Sequence, residues 1–352
     1  MKGSTMIKSN CNRLFLGLPA LLVLACAVTT AVSVRVQKPA AIDLPGVKTI
    51  AIADFTGPEG SGSQVATLVQ SKLMESRYFD IIERDKLNRI LDEQNLGMSG
   101  IVDENTAVQV GRLLGVDALI FGEVSVYDVE PDERGVEKVE RKVGTGKYEW
   151  VEEKNIFTGK KKKVKREIMK TTLVDQHYRI RRGTVAVNFR VVGVESGRLL
   201  AAHSDSKSYN SGKVVEGSWK TLKPEGDILH ELSNQICLKF TRLIAPYYAE
   251  EKRVIEPGKG MVMAGVKYAQ NGLWEEALEI WSEAARQNPQ DPVALYDMGL
   301  AYEVLGRLDE AEDAYKRSVA LKQKQLYMES IARVRKAREE QQRLKDQMLE
   351  RE

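Results

Sequence analysis

The feature that most restricts the fold of this chain is a repeat of 34 residues near its C-terminal end. Two copies align without a gap, and five pairs of positions carry matching residue types. The pairs are Gly265 and Gly299, Tyr268 and Tyr302, Gly272 and Gly306, Ala277 and Ala311, and Trp281 and Tyr315. Small residues let two helices approach closely, and the aromatic residue of the last pair fills the gap between them. The pattern predicts two helix–turn–helix units with glycine in each turn.

The period and its residue types resemble the tetratricopeptide repeat, a module built for protein–protein contacts. Residues 251–325 are predicted to hold both repeats. Two repeats are fewer than the roughly three that a stable array usually needs. A helix from Gln323 to Glu352 is therefore expected to cap them, with residues 326–352 as the capping helix and charged tail. Beyond Lys336 this helix is almost wholly charged, which favours a solvated tail over a coiled coil.

Most aromatic side chains of the module are assigned to its core by their repeat positions. Trp274 and Tyr296 are not, and they are the candidates for an exposed groove that binds a partner peptide. The expected partners of the module are therefore other proteins.

The N-terminal residues have the pattern of a secretory leader that ends at a cysteine. Three basic residues precede an apolar run from Leu14 to Ala25, and Cys26 follows. A basic segment, a short apolar core and a small residue before the cut are typical of a signal peptide. A cysteine directly after the cut resembles the lipobox of bacterial lipoproteins. Residues 1–25 are therefore predicted to be removed and Cys26 to be lipidated, with a linker over residues 26–46.

An uncleaved anchor in the inner membrane is the alternative for this segment. Leu14 to Val34 is a run of 21 residues without a charge, close to the ~20 that a spanning helix needs. Pro19 and several small or hydroxylated residues argue against it. In both cases the basic leader stays on the cytoplasmic side, so the rest of the chain is expected in the cell envelope. Ala27, rather than aspartate, after Cys26 favours an outer-membrane lipoprotein that faces the periplasm.

Residues 47–250 are predicted to form an α/β domain, a mixed sheet flanked by helices. Strand and helix patterns alternate along the first part, and a strand pair and a long helix follow. The predicted strands are Val47–Phe55, Tyr78–Ile82, Val116–Val126 and a pair within Thr184–Ala201 that turns at Glu195–Gly197; the predicted helices are one around Val65–Leu73, Arg84–Gln94, Glu104–Leu114 and Ile228–Ala249.

Two segments of this domain carry a family resemblance. Glu83–Gln94 reads ERDKLNRILDEQ and Gly111–Val124 reads GRLLGVDALIFGEV. In this order and spacing they resemble the CsgG/HfaB family, the curli-secretion type of outer-membrane lipoprotein. The resemblance covers roughly residues 44–245. It implies a periplasmic α/β domain, a lipid at the N-terminus and self-association into a homo-oligomer.

An insertion at about residues 131–183 departs most from the family pattern. It contains 16 basic and 9 acidic residues, a local excess of +7. The sequence predicts a charged hairpin with strands at Lys147–Phe157 and Val164–Leu173. Neither face of the first strand is apolar, so a solvated hairpin is expected, with the run Lys160–Lys163 available to anionic lipid head groups.

The sequence offers no pattern for a cofactor, a metal or catalysis. The loop Gly57–Ser63 follows a strand and precedes a helix, but it lacks the Lys-Ser/Thr pair of a phosphate-binding loop. His177, His203 and His230 are scattered without metal-binding spacing. Cys237 is expected to be a buried small apolar residue. The net charge of +3 gives no general attraction to nucleic acid.

These observations lead to one functional interpretation and two alternatives. The chain is interpreted as a bacterial envelope lipoprotein that acts in assembly or secretion of envelope components through protein–protein contacts. A periplasmic regulatory lipoprotein that activates a cell-wall synthase is the first alternative, because such proteins share a similar small α/β domain. An envelope enzyme is the second, and the chain is predicted not to be an enzyme.

Overall fold

The computed structural model describes residues 30–53, 55–58, 60–83, 104–154, 156 and 159–350. Cys26 and the helix predicted over Arg84–Gln94 lie outside the described residues. The chain divides into two compact units. The α/β unit contains Arg35–Glu250 and the described residues from Lys336 onward, and the repeat unit contains Glu251–Arg335 and the described residues before Arg35. Within these ranges, no helix combines the length and the apolar character needed to cross a membrane.

Ten strands and eight α-helices follow one another along the part of the chain that the structure describes. In order they are β1 (Thr30–Lys38), β2 (Thr49–Ile52), α1 (Ser61–Ser76), β3 (Asp80–Ile82), α2 (Glu104–Leu114), β4 (Ala118–Val129), β5 (Glu133–Lys154), β6 (Lys161–Ile180), β7 (Arg182–Gly193), β8 (Leu199–Asn210), β9 (Val214–Val215), α3 (Glu225–Ile244), β10 (Tyr247–Ile255), α4 (Met261–Gln270), α5 (Trp274–Gln287), α6 (Pro292–Val304), α7 (Leu308–Leu321) and α8 (Gln325–Leu349). The predicted fold class, an α/β domain followed by an all-helical module, is confirmed.

The α/β unit is built around a five-stranded mixed sheet in the order β3-β2-β4-β7-β8. β2 lies parallel to both β3 and β4, with Ala51 opposite Leu119. β7 is antiparallel to β4 and β8. The parallel strands are connected through helices and the antiparallel strands through hairpins, as such connections require.

Side chains that alternate along the strands bury both faces of this sheet. On one face Ile50 and Ile120 pack with residues of α1 and α3, such as Val69 and Phe240. On the other face Ala51, Leu119 and their neighbours pack with α2. The result is a three-layer sandwich. Cys237 lies in its core, and burial raises the pKa of the thiol to about 12, so its predicted role as a small apolar residue is confirmed.

A glycine in the first turn of α1 is required by close packing. A Cβ atom on Gly62 would lie 1.6 Å from the carbonyl oxygen of Phe55. A residue with a side chain cannot occupy this position without moving the main chain at Phe55. Glycine at this position therefore allows the start of α1 to lie close to the segment that follows β2.

The predicted charged hairpin is present and is longer than predicted. β5 and β6 pair along almost their whole length, from Glu133 opposite Ile180 to Lys154 opposite Lys161. Most of their side chains are exposed. At the base, Arg181 donates two hydrogen bonds to Asp132, of 2.7 and 3.0 Å. These hydrogen bonds lower the pKa of the Asp132 carboxyl.

Three predictions about the edges of the α/β unit are wrong. The segment predicted as a linker, residues 26–46, contains β1, which pairs with β10. Its Ala40 is buried and the Ile42 amide donates to the carbonyl oxygen of Leu243. The helix predicted over Ile228–Ala249 ends at Ile244, because Ala245 precedes a proline and takes an extended conformation.

The charged tail, predicted to be solvated, contacts residues near the N-terminal end of the α/β unit instead. Gln347 is buried in the α/β unit, where its side chain bonds both the amide and the carbonyl of Ala40, at 3.0 and 3.1 Å. Arg343 donates to the same carbonyl. Lys38 forms an ion pair of 2.8 Å with Glu340. Glu340, Arg343 and Gln347 thus make polar contacts within the unit, while most other residues of the tail are exposed. Helical periodicity alone does not reveal these contacts.

Candidate interaction site

Each repeat is held together by one aromatic side chain against one glycine. A Cβ on Gly265 would lie 2.4 Å from Nε1 of Trp281, and a Cβ on Gly299 would lie 2.9 Å from Cδ1 of Tyr315. Both aromatic residues are fully buried. Trp281 also donates a hydrogen bond of 3.0 Å to the carbonyl of Val262. Close helix contact therefore depends on a single aromatic position in each repeat.

The two turns within the repeats have the same geometry. Gly272 and Gly306 adopt φ of 78° and 77°, the left-handed region that favours glycine. In each turn the glycine and the following residue donate hydrogen bonds back to the last turn of the preceding helix. Ala277 and Ala311, the matched small residues of the second helices, are fully buried. Tyr268 and Tyr302 lie at the edge, where Tyr268 is 41% exposed and Arg307 stacks on Tyr302.

The candidate interaction site is a surface of α6 and α8 on which an extended piece of the same chain lies. We call this surface the inner face and define it by Tyr296, Asp297, Glu303, Tyr327 and Arg333. The segment on it is Arg253–Glu256, the end of β10 and the residue after it, and it is called the cis segment below. All of these residues belong to the repeat unit.

Main-chain groups of the cis segment are held by side chains of the inner face. Tyr296 donates a hydrogen bond of 2.7 Å to the carbonyl of Val254. The amide of Glu256 donates one of 3.0 Å to Oδ1 of Asp297. Ile255, between these two contacts, is fully buried. The cis segment is therefore bound as an extended peptide, with one apolar anchor.

The charged side chains at the two ends of the cis segment are paired with opposite charges. Arg253 donates to Glu303 at 2.9 Å, and Arg333 donates two bonds to the same carboxylate, at 2.7 and 2.8 Å. At the other end, Glu256 accepts from Lys324 and from the hydroxyl of Tyr327. The ring of Tyr327 stacks on that of Tyr296, with centroids 4.8 Å apart.

Glu303 is the centre of a buried network. The hydroxyl of Tyr315 donates to it at 2.7 Å, in addition to the two arginines. Burial raises the pKa of the Glu303 carboxyl, but the hydrogen bonds of Arg333 and the charges of Arg333 and Arg253 outweigh it, and the net pKa is lowered. Glu303 is therefore ionised at neutral pH, as a carboxylate between two guanidinium groups must be.

Asp297 has the opposite environment. It is fully buried, and among the described residues its Oδ2 atom has no hydrogen-bond partner. Burial raises the pKa of this carboxyl well above its ordinary value, and the charges of Glu256 and Asp291 act in the same direction, against Lys324. Folding therefore favours the protonated form of Asp297.

The raised pKa of Asp297 predicts that Asp297→Asn stabilises the protein at neutral pH. A carboxyl whose pKa is raised in the folded state costs stability as the pH rises above the unfolded value of 3.8. The amide keeps an acceptor for Glu256 and carries no charge. We expect a gain of about 1–3 kcal/mol at neutral pH, which shrinks as the pH falls toward 3.8. Thermal unfolding at several pH values measures both effects. An equal or lower melting temperature of the variant at neutral pH would contradict the assignment.

The predicted partner-binding residues are not exposed. Tyr296 is fully buried under the cis segment and Tyr327, and Trp274 is only 9% exposed. The prediction that they line an open groove is therefore wrong. The residues that the sequence reasoning missed are Arg253, Glu303 and Arg333. A signal for one of them exists, because Asp297 and Glu303 interrupt the otherwise largely apolar helix α6.

Outside the repeats, the α/β unit has a basic cleft of about 730 Å³. Its lining includes the cations Arg35, Lys72, Arg77 and Arg242, with Tyr78, Tyr247 and Tyr248. Arg35 lies 4.0 Å from the ring centroid of Tyr248. Among the residues that the structure describes, no group of three or more histidine, cysteine or acidic side chains could hold a metal ion.

Sequence models of two families match this chain. The family described as "Curli production assembly/transport component CsgG" matches residues 47–233, about half of the chain. The family "Tetratricopeptide repeat" matches residues 262–325. The predicted resemblance of both parts is thereby confirmed.

Individual proteins resemble this chain either over a short stretch or at low sequence identity. "Photosystem I assembly protein Ycf3" of Synechococcus sp. (strain CC9311) is 39% identical over 62 residues, which cover 18% of this chain and 36% of the relative. The chain thus spans about a third of that relative's length.

Solved structures that include the following two are similar to this chain at low TM-scores. One is a PelC dodecamer from Paraburkholderia phytofirmans, with a TM-score of 0.29 and 11% identity, covering 61% of this chain and 99% of that one. The other is the LpoB C-terminal domain from Salmonella enterica, with a TM-score of 0.28 and 7% identity, covering 48% and 87%. At these scores neither likeness supports an inference about function.

Proposed function

We propose, since the chain belongs to the CsgG family, that it is a lipoprotein of the bacterial envelope that acts in assembly or secretion of envelope components through protein–protein contacts. The single observation that carries the proposal is the joining of a CsgG domain to a pair of tetratricopeptide repeats in one chain. The first part supplies the family's place in the envelope. The second is a module for protein contacts.

The leader supports the envelope location independently. Its basic start, apolar core and Cys26 are the sequence signs of a secreted, lipidated protein. The outer membrane is the proposed membrane, with the domains in the periplasm. No enzymatic activity is proposed.

Cross-linking in living cells, followed by identification of the captured proteins, tests this function. We expect components of an envelope secretion or assembly system, captured by the wild type and lost in a variant whose repeats do not fold, such as Trp281→Ala. Capture of a cell-wall synthase instead would replace the proposal by the regulatory alternative. If wild type and Trp281→Ala captured the same proteins equally well, the repeats would not be needed for binding these partners.

Lipidation at Cys26 gives a direct prediction. In cells supplied with labelled palmitate, Cys26→Ala should lose essentially all of the label, because the thiol is the proposed acyl acceptor. Cys11→Ala is the matched control, since Cys11 lies within the proposed leader, and it should keep the label. Equal label in Cys26→Ala and wild type would disprove the assignment.

A second prediction concerns self-association. The family resemblance implies a homo-oligomer, and many lipid anchors on one assembly would bind a membrane far more firmly than one. Detergent-extracted full-length protein should therefore have a molar mass several times that of the 39.5 kDa chain in light scattering, and should form rings in electron micrographs. A monomer at all accessible concentrations would refute the prediction.

A further inference from the structure

The cis segment makes the contacts of a bound peptide although it is continuous with a strand. Arg253–Ile255 are the last residues of β10, which pairs with β1, and Glu256 directly follows. It is followed by Pro257, Lys259 and Gly260, which are exposed, and Gly260 has φ of 56°. A short piece of extended chain thus lies on a helical surface and is joined to α4 by an exposed, glycine-containing connection.

Four consecutive positions of the cis segment make different kinds of contact. Arg253 binds a carboxylate, Val254 binds through its main chain, Ile255 is buried and Glu256 binds a lysine and a tyrosine hydroxyl. The order is basic residue, any residue, aliphatic residue, acidic residue. Such a combination of main-chain bonds and side-chain sites is how extended peptides are recognised in general.

The fit of the cis segment is incomplete. It offers one donor to Asp297, the amide of Glu256, while Oδ2 stays buried without a hydrogen-bond partner among the described residues. A buried polar atom without a partner costs free energy. A competing segment that brings a hydrogen-bonding group to this atom would gain the interaction that the cis segment does not make.

We propose that the inner face is a peptide-binding site that the chain fills with its own residues 253–256, and that it accepts in their place an extended partner segment with the pattern basic–x–aliphatic–acidic. This rests on the proposed function, since it names how the repeats take a partner. Because the cis segment fills the inner face, a partner can bind only those molecules in which this face is open. The apparent affinity for the partner is therefore the intrinsic affinity multiplied by the fraction of open molecules. A partner therefore needs this pattern, or a high local concentration, to displace it.

The test uses a fluorescent peptide of residues 251–258, EKRVIEPG, and full-length protein in detergent. Wild type should bind it weakly because the site is filled. The double variant Arg253→Ala with Glu256→Ala loses the charged contacts of the cis segment and keeps every residue of the inner face, so it should bind at least about tenfold more tightly. Lys252→Ala with Lys259→Ala is the matched control, because both side chains are exposed, and it should behave as wild type.

A second peptide, EKEVIRPG, exchanges the two charges and tests the pattern. It should not bind the open variant. Equal binding of both peptides, or no gain in the folded double variant, would overturn the proposal and leave the capture experiment above unaffected. Circular dichroism shows whether the variant is folded.

If the double variant does not fold, hydrogen exchange measured on the wild-type protein tests the proposal. Excess EKRVIEPG should speed exchange of the Glu256 amide, which bonds Asp297 only while the cis segment is in place, and EKEVIRPG should not. Unchanged exchange with both peptides would show that the segment is a fixed part of the fold.

Discussion

Replacing Trp281 with alanine is expected to unfold the repeat unit. The indole is fully buried, lies against Gly265 and donates to the Val262 carbonyl. Alanine would leave a large cavity and would lose the hydrogen bond to Val262, and substitutions of this kind cost about 3–5 kcal/mol. Because small helical modules have only a few kcal/mol of stability to lose, the repeat unit should unfold at a much lower temperature. The loss of helical circular dichroism on heating measures this unfolding.

Tyr268→Ala is the matched control for this experiment. The residue lies on the first helix of the same repeat and is 41% exposed. Its loss should shift the melting temperature little. Equal shifts for the two variants would mean that the aromatic of the second helix does not hold the hairpin together.

Replacing Glu303 with alanine should be nearly as damaging, for an electrostatic reason. The carboxylate is shared by Arg253, Arg333 and the hydroxyl of Tyr315, and its side chain is 5% exposed. Removing it leaves two cations without their common partner in a buried place, which typically costs about 3–5 kcal/mol. Chemical denaturation measures the loss.

The dependence on pH separates this effect from mere loss of packing. The pKa of Glu303 is lowered from 4.5 in the folded state, so its contribution is complete above pH 4.5 and is lost as the pH falls through the lowered value. The difference between wild type and Glu303→Ala should therefore narrow in acid. Glu310→Ala is the control, because Glu310 pairs with Arg307 at the exposed surface and its removal should change stability little at any pH. A difference that is constant with pH would contradict the ionic role.

Local patterns in the sequence were sufficient wherever a fold feature depends on neighbouring residues. The repeat hairpins were predictable because Gly265 and Trp281 recur as Gly299 and Tyr315 one period later. The strands of the sheet were predictable because apolar residues such as Ile50 lie in short β-branched runs bounded by turns.

Features that depend on residues distant in sequence were not predictable in this way. Repeat position did not assign Tyr296 to the core, and the contacts that bury it come from Val254 and Tyr327. The tail of the chain has few apolar residues, and its buried residue, Gln347, is held by hydrogen bonds to the main chain of Ala40. One arginine in a charged stretch carries no pattern until its carboxylate partner is known, so the cis segment had no marker of its own.

The contacts between Gln347 and Ala40 also set an order of events during biosynthesis. These residues are 307 positions apart, and residues Glu251–Arg335 of the repeat unit are made between them. A chain that emerges from its amino end can form the five-stranded sheet early, but it gains the hydrogen bonds of residues 336–350 only after both repeats have been translated. During that interval the polar groups around Ala40 are open to water and to passing chaperones. A truncation just after the repeats would keep the protein in this unfinished state permanently.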